Sequence, residues 1–184
     1  RKRVQGVGIG WAWERRDDWF GGGYWASAGA LYRGDLAIRD PDMRGADQAP
    51  GGLHTEGGFT KLTYQFSRLQ AIFERHSLYV ALGGQLANKN LDSSEKLALG
   101  GARAVRAYAS GEVLVDQGLV GTIEWRWSAT SELTPFVFFD AAHGRVLKNG
   151  SAFVAGDLSR SLRGTGLGLS WNRAADFSIN ATLA

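Results

Sequence analysis

The sequence predicts an all-β fold, an antiparallel β-barrel whose strands cross a membrane. Three observations carry that prediction. Seven segments show a hydrophobic period of two and a glycine-rich eighth joins them, the links between them alternate short and long, and six of the seven tryptophans gather beside the short links.

From Val7 to Trp13 the odd positions are Val7, Ile9, Trp11 and Trp13, and the even ones are Gly8, Gly10 and Ala12. The glycine-rich segment from Trp19 to Arg33 reads as a second strand with no assignable parity. From Phe59 to Gln70, Leu62, Tyr64 and Phe66 oppose Lys61, Thr63, Gln65 and Ser67. From Leu78 to Leu86, Leu78, Val80, Leu82 and Leu86 oppose Tyr79, Ala81, Gly83 and Gln85. In the second half, Leu119, Ile123, Trp125 and Trp127 oppose Val120, Thr122, Glu124 and Arg126. Val137 and Phe139 oppose Phe136, Phe138 and Asp140. Leu167, Leu169 and Trp171 oppose Gly166, Gly168 and Ser170, and Phe177, Ile179 and Leu183 oppose Ser178, Asn180 and Thr182.

A soluble sandwich also alternates. Three details favour the membrane barrel. The segments reach about ten residues, where soluble strands average about five or six and a tilted membrane strand needs roughly 9–11. The strand charges Lys61, Glu124, Arg126 and Asp140 fall on the less apolar face, as a polar lumen requires. Short links lie near Arg15–Asp18, Ile72–His76, Ser128–Leu133 and Asn172–Ala175, and long ones near Gly34–Glu56, Lys89–Gln117 and Leu147–Leu162. Trp11, Trp13, Trp19, Trp125, Trp127 and Trp171 sit beside the short links, as an interfacial aromatic girdle would, with Trp25 the exception.

Composition excludes several functions. With 184 residues the chain suits one domain, and a net charge of +3 gives no nucleic-acid stripe. There is no cysteine, so neither a disulfide framework nor a thiolate metal site can form. No apolar run is long enough for a spanning helix, and the basic start Arg1-Lys2-Arg3-Val4 holds no apolar stretch. His54, His76 and His143 suggest no nucleophile–base arrangement, so no catalytic residue is assigned. Asp40, Asp42 and Asp47 in "DPDMRGADQ" fail the calcium-loop pattern because Arg44 stands where a ligand is needed; they read as a solvated outer loop. "GVGIGW" and "GTGLGLSW" precede no helix, so they read as small lumen-side residues and not phosphate loops. No metal, cofactor or nucleotide site is expected.

Arg106 and Asp140 remain. Alternation points Asp140 into the lumen beside Phe136 and Phe138, where a carboxylate needs a partner or water. From the residues alone Arg106 reads first as an exposed loop arginine, whose pairing would be worth about 0–1 kcal/mol. It could meet Asp140 only if the long loop folded inward.

A resemblance bears on that choice. "LDSSEKLALGGARAVRAYASGE" (91–112), "DQG" (116–118) and "GTIEWRW" (121–127) resemble the two-partner secretion transporters of Gram-negative bacteria, of the haemolysin-activator type. "TEGGFTKLTYQFSRLQ" (55–70), "PFVFFDAAHGRV" (135–146) and "GTGLGLSW" (164–171) match in the same order. The resemblance implies a sixteen-stranded outer-membrane barrel, of which the eight segments here would be the eighth to fifteenth strands. It also implies paired periplasmic domains, a plug helix, and a long loop folded back into the lumen. Eight strands alone would leave two unpaired edges in lipid, so residues 1–184 are expected to be part of a barrel, without its periplasmic domains and last strand.

The same resemblance implies that a loop-lock motif, Val105, Arg106, Ala107 and Tyr108, meets a barrel-wall partner, Phe138 and Asp140. Ala107 and Ala142 stand where glycine is commoner, and Ala107 limits any backbone geometry needing positive φ. Glu124 and Arg126 are the expected lumen charges beside it. The implied activity is secretion of a large exoprotein, a haemolysin or adhesin, unfolded in transit and drawn by its folding outside. The partners are that cargo and outer-membrane lipid, with no nucleic acid and no nucleotide. An assembly-factor barrel and a passive porin-like channel are the alternatives.

Overall fold

The computed structural model describes residues 1–154, 156–173 and 177–184. In chain order it comprises β1 (Lys2–Asp17), β2 (Gly23–Ile38), α1 (Pro41–Gln48), β3 (Gly57–Phe73), β4 (His76–Ala87), β5 (Leu97–Ala98), β6 (Leu114–Val115), β7 (Gln117–Trp127), β8 (Leu133–Arg145), β9 (Ser159–Arg173) and β10 (Phe177–Leu183). Eight strands form one sheet in the order β1-β2-β3-β4-β7-β8-β9-β10, each antiparallel to its neighbour. β5 and β6 form a separate short ribbon inside the longest loop. This all-β meander is the predicted antiparallel barrel wall. The first two strands reach 16 residues each and β3 reaches 17, well beyond a soluble strand.

Register fixes the faces, because residues directly opposite in an antiparallel pair share one face. One row runs Ile9↔Leu31↔Leu62↔Leu86, and all its side chains point out. The neighbouring row runs Gly10↔Ala30↔Thr63↔Gln85↔Gly118↔Gly144 and points in. Val7 is 75% and Ile9 72% exposed, a cost in water that disappears in hydrocarbon. The face that alternation gave to Lys61, Glu124, Arg126 and Asp140 is the inner one.

Links 18–22, 74–75 and 128–132 lie at one end of the sheet, and links 39–56, 88–116 and 146–158 at the other. The predicted short link Asn172–Ala175 lies partly outside the described residues. Trp25 proves no exception: β2 starts at Gly23, so Trp25 stands opposite Arg15, close to the short turn. Its parity is hidden in the sequence because small residues from Ala26 to Ala30 occupy both faces.

The outer-loop reading of Asp40, Asp42 and Asp47 needs correction for Asp47. Residues 41–48 form α1, started by Asp40, which accepts the Met43 N–H at 3.0 Å, with Pro41 in the first turn. Asp47 is buried and accepts from the Thr55 N–H (2.9 Å), the Thr55 hydroxyl (2.7 Å) and the Glu56 N–H (3.0 Å). Burial pushes its carboxyl up, but the Thr55 hydroxyl and the Glu56 and Thr55 N–H groups outweigh this and hold it below the usual carboxylate range. Asn90 ties the three long links together, donating to the Leu53 carbonyl and accepting from the Asn149 N–H at 2.7 Å.

Among the described residues, the apolar cores lie between the inner wall and these links. One gathers Leu36, Ile38, Phe59, Ala87 and Leu91; the other gathers Leu99, Val105, Val115, Ala142 and Leu162. The outward face has no core to cover it. An arginine at Val137, on that face, should therefore destabilise the inserted protein by about 2–4 kcal/mol in reversible unfolding from lipid vesicles. Gln65→Arg, on the inner face, should change stability by far less; equal losses at both positions would contradict the assigned faces.

Candidate functional site: a loop seated on the inner wall

The site is built by link 88–116. Its stem is the β5–β6 ribbon, extended by the Leu99 N–H donating to the Val113 carbonyl at 2.9 Å. The wall beneath is bare where the stem meets it. A methyl group added at Gly118 or Gly144 would come within 2.9 Å or 2.8 Å of the Val115 side chain. Only glycine permits that approach.

Asp116, fully buried, fixes the stem. Its carboxylate pairs with Lys96 at 2.7 Å and accepts from the Leu91 N–H (3.1 Å) and the Lys148 N–H (2.8 Å). Its carbonyl accepts from Gln85 on β4 at 3.2 Å. Lys61 pairs with Glu95 at 2.9 Å on the same side.

Past the stem the chain turns tightly. The Ala104 N–H donates to Gly101, the Val105 N–H to Leu99 at 3.0 Å, and the Tyr108 N–H to the Val105 carbonyl at 3.2 Å. Val105 is completely buried and packs with Leu99 and Val115 against the wall residues Ala142 and Leu162, with Tyr108 at the margin. Burying Val105 leaves the next residue, Arg106, facing β7 and β8. Positive φ occurs among the described non-glycine residues at Phe20, His54 and Arg75, and not at Ala107, so the alanine fits its backbone. Ala142 likewise fills the apolar seat that a glycine would leave open.

Arg106 grips Asp140 through three bonds. Its Nε donates to Oδ2 (2.8 Å), its Nη2 to Oδ1 (2.8 Å), and its backbone N–H to Oδ2 (3.1 Å). The Thr122 hydroxyl also donates to Asp140. Arg106 Nη1 reaches Glu124 at 2.7 Å, and Glu124 in turn accepts from Arg126 Nε at 2.8 Å. Phe138 lies under the guanidinium, 3.5 Å from its centre, and Arg126 stacks over Tyr79 at 4.7 Å. Two cations thus alternate with two carboxylates, so the buried group carries no net charge. That balance matters, because an uncompensated buried ion costs several kcal/mol.

Register places these groups side by side. Thr122, Asp140 and Gly164 form one inward row across β7, β8 and β9, and Glu124, Phe138 and Gly166 form the next. Thr122, Asp116, Lys96 and Gly164 have no role in the sequence reading. The "GTGLGLSW" run offered a signal for Gly164, read only as small lumen-side residues. A methyl group there would lie 2.8 Å from the Ala107 Cβ and 3.2 Å from Val105 Cγ1. His143 lies on the outer face, its Nδ1 2.9 Å from the Ser161 hydroxyl, with no carboxylate among the described residues to orient it.

Gly164→Leu should lift the tip from its seat. Overpacking of about 1–3 kcal/mol would raise trypsin cleavage at Arg103 and Arg106 roughly tenfold or more. Unchanged cleavage would show that the tip does not rest on Gly164.

The comparisons with known proteins agree with this architecture. The family model described as haemolysin secretion/activation protein ShlB/FhaC/HecB matches residues 2–171. Heme/hemopexin transporter protein HuxB of Haemophilus influenzae strain 86-028NP is 29% identical over 184 residues, covering 97% of this chain and 31% of that protein. The HuxB of strain ATCC 51907 / DSM 11121 / KW20 / Rd is 32% identical over 132 residues, covering 68% of this chain and 23% of that protein. The chain therefore spans less than a third of the length of these relatives. No solved structure matches it. Matched by the family model over most of its length, the chain belongs to the haemolysin secretion/activation protein family.

Proposed function

We propose that this chain is the wall-and-loop part of an outer-membrane translocator of a Gram-negative bacterium, exporting a large partner protein by two-partner (type V) secretion. The observation that carries this reading is Arg106 held by Asp140 and Glu124 on the inner wall, at the tip of a loop whose stem is separately fixed by Asp116. A passive pore has no need of a buried, charge-balanced grip on its own loop. The remaining strands of a sixteen-stranded barrel and a pair of periplasmic domains belong to the longer protein.

The cargo is a secreted exoprotein, a haemolysin or adhesin, that passes unfolded. The relatives are named for heme and hemopexin; the cargo here is assigned by class only. On the β2–β4 side the lumen next to the tip is lined by Ala28, Thr63, Gln65, Tyr79 and Ala81. These uncharged side chains offer an extended polypeptide no ion pair, so it can slide. Folding of the cargo outside supplies the drive, and no nucleotide is used. Outer-membrane lipid surrounds the exposed apolar band.

Arg106→Ala leaves Asp140 buried and unpaired, at a cost of about 3–5 kcal/mol to the seated loop. Cargo secretion into the medium should fall to background in the full-length protein carrying this substitution, while the barrel still inserts and keeps its heat-modifiable mobility on gels. Normal secretion by this variant would overturn the reading.

A further inference from the structure

The two rims of the outward face differ in chemistry. At the short-turn end stand all seven tryptophans, six of them on strands and Trp19 in the first turn. At the long-loop end no aromatic girdle answers them. The basic side chains among the outward strand positions there are Arg3 and Arg33 on β1 and β2, and His143, Arg145 and Arg163 on β8 and β9. All five are exposed.

Around Arg3 and Arg33 the charge is partly offset by Asp35, two residues from Arg33 and diagonal to Arg3. On the strands themselves the β8–β9 group has no acidic neighbour, and Asp157, just past Ser159, forms no ion pair with it among the described residues. Ala141 stands opposite Arg163, His143 opposite Ser161, and Arg145 opposite Ser159. His143 and Arg163 are thus diagonal neighbours, within reach of long side chains. Neither Arg145 nor Arg163 forms an ion pair among the described residues. Asp157, in the link above, accepts the Ser159 N–H at 2.8 Å.

Height along the strands places this group. Leu133 and Trp171 are opposite each other at the tryptophan rim. At about 3.3 Å per residue and a tilt near 40°, Arg163 lies roughly 20 Å above Trp171, His143 roughly 25 Å above Leu133, and Arg145 roughly 30 Å. An apolar band is about 25 Å tall, so the three cations bracket its far boundary. Between the rims the same face carries Val137, Phe139, Leu167 and Leu169, all exposed. A tryptophan rim suits a leaflet of neutral headgroups. A rim of uncompensated arginine and histidine, their stems lying along the apolar band and their heads reaching upward, suits one whose headgroups carry clustered negative charge.

We propose that His143, Arg145 and Arg163, with the Ser161 hydroxyl, form a binding site for a phosphorylated glycolipid headgroup of the lipid A type in the outer leaflet. Arginine suits phosphate because its fork donates two parallel hydrogen bonds. The proposal rests on the outer-membrane reading above, but not on the loop or the cargo.

The test uses the full-length protein, purified in detergent and titrated with bisphosphorylated lipid A, dephosphorylated lipid A and inorganic phosphate. Arg145→Gln with Arg163→Gln should weaken binding of the bisphosphorylated lipid roughly tenfold or more, while barrel insertion and cargo secretion persist. Dephosphorylated lipid A should bind the parent and the double variant alike, and inorganic phosphate should compete only weakly. Equal binding of bisphosphorylated lipid A by parent and double variant overturns the proposal. Displacement of the lipid by inorganic phosphate at comparable concentration also overturns it, because the site would then be a free-anion site. Arg106→Ala separates the two readings: it should leave lipid A binding intact, whatever it does to secretion.

Discussion

The arrangement depends on one buried charge pair. Asp140 is wholly enclosed on the inner wall, and a carboxylate so placed must be answered. Arg106 answers it from a different segment, 34 residues away in sequence, with two side-chain bonds and one backbone bond. Glu124 and Arg126 extend the group so that charges alternate and cancel. A pair of this kind adds modest stability compared with an apolar contact, but losing one member is costly. It therefore specifies where the loop sits more than it strengthens the barrel.

The charge pair could not form without small residues beneath it. Gly118 and Gly144 admit the stem, and Gly164 admits the tip, each at distances that a side chain would violate. Phe136 and Phe138 lie across Gly168 and Gly166 in the same way, which brings a ring under the Arg106 guanidinium. Glycine in these strands is thus a contact surface for the loop. Asp116 and Lys96 hold the stem at the mouth, so movement at the tip need not carry the whole loop with it.

The faces of the strands were legible in the sequence because a period of two is backbone geometry. Link lengths were legible for the same reason. The position of Trp25 is hidden because Ala26, Ala28 and Ala30 inside look much like Ser27 and Gly29 outside, so parity carries no signal there. α1 leaves little trace in the sequence although Asp40 and Pro41 mark a helix start, since eight residues containing Gly45 give a weak pattern. Asp116 and Gly164 act through partners distant in sequence, and no local pattern reports such contacts. Alternation alone turns Asp140 inward and leaves a meeting with Arg106 merely open; the family resemblance is what favours that meeting.

Hydrogen exchange tests the central contact most directly. In the full-length protein, amide exchange at Val105 and Tyr108 would be followed in a double-mutant cycle of Arg106→Ala and Asp140→Ala. If the pair holds the tip in place, each substitution alone speeds exchange, and the two together do little more than either one. Additive effects, or unchanged exchange in Arg106→Ala, would contradict it.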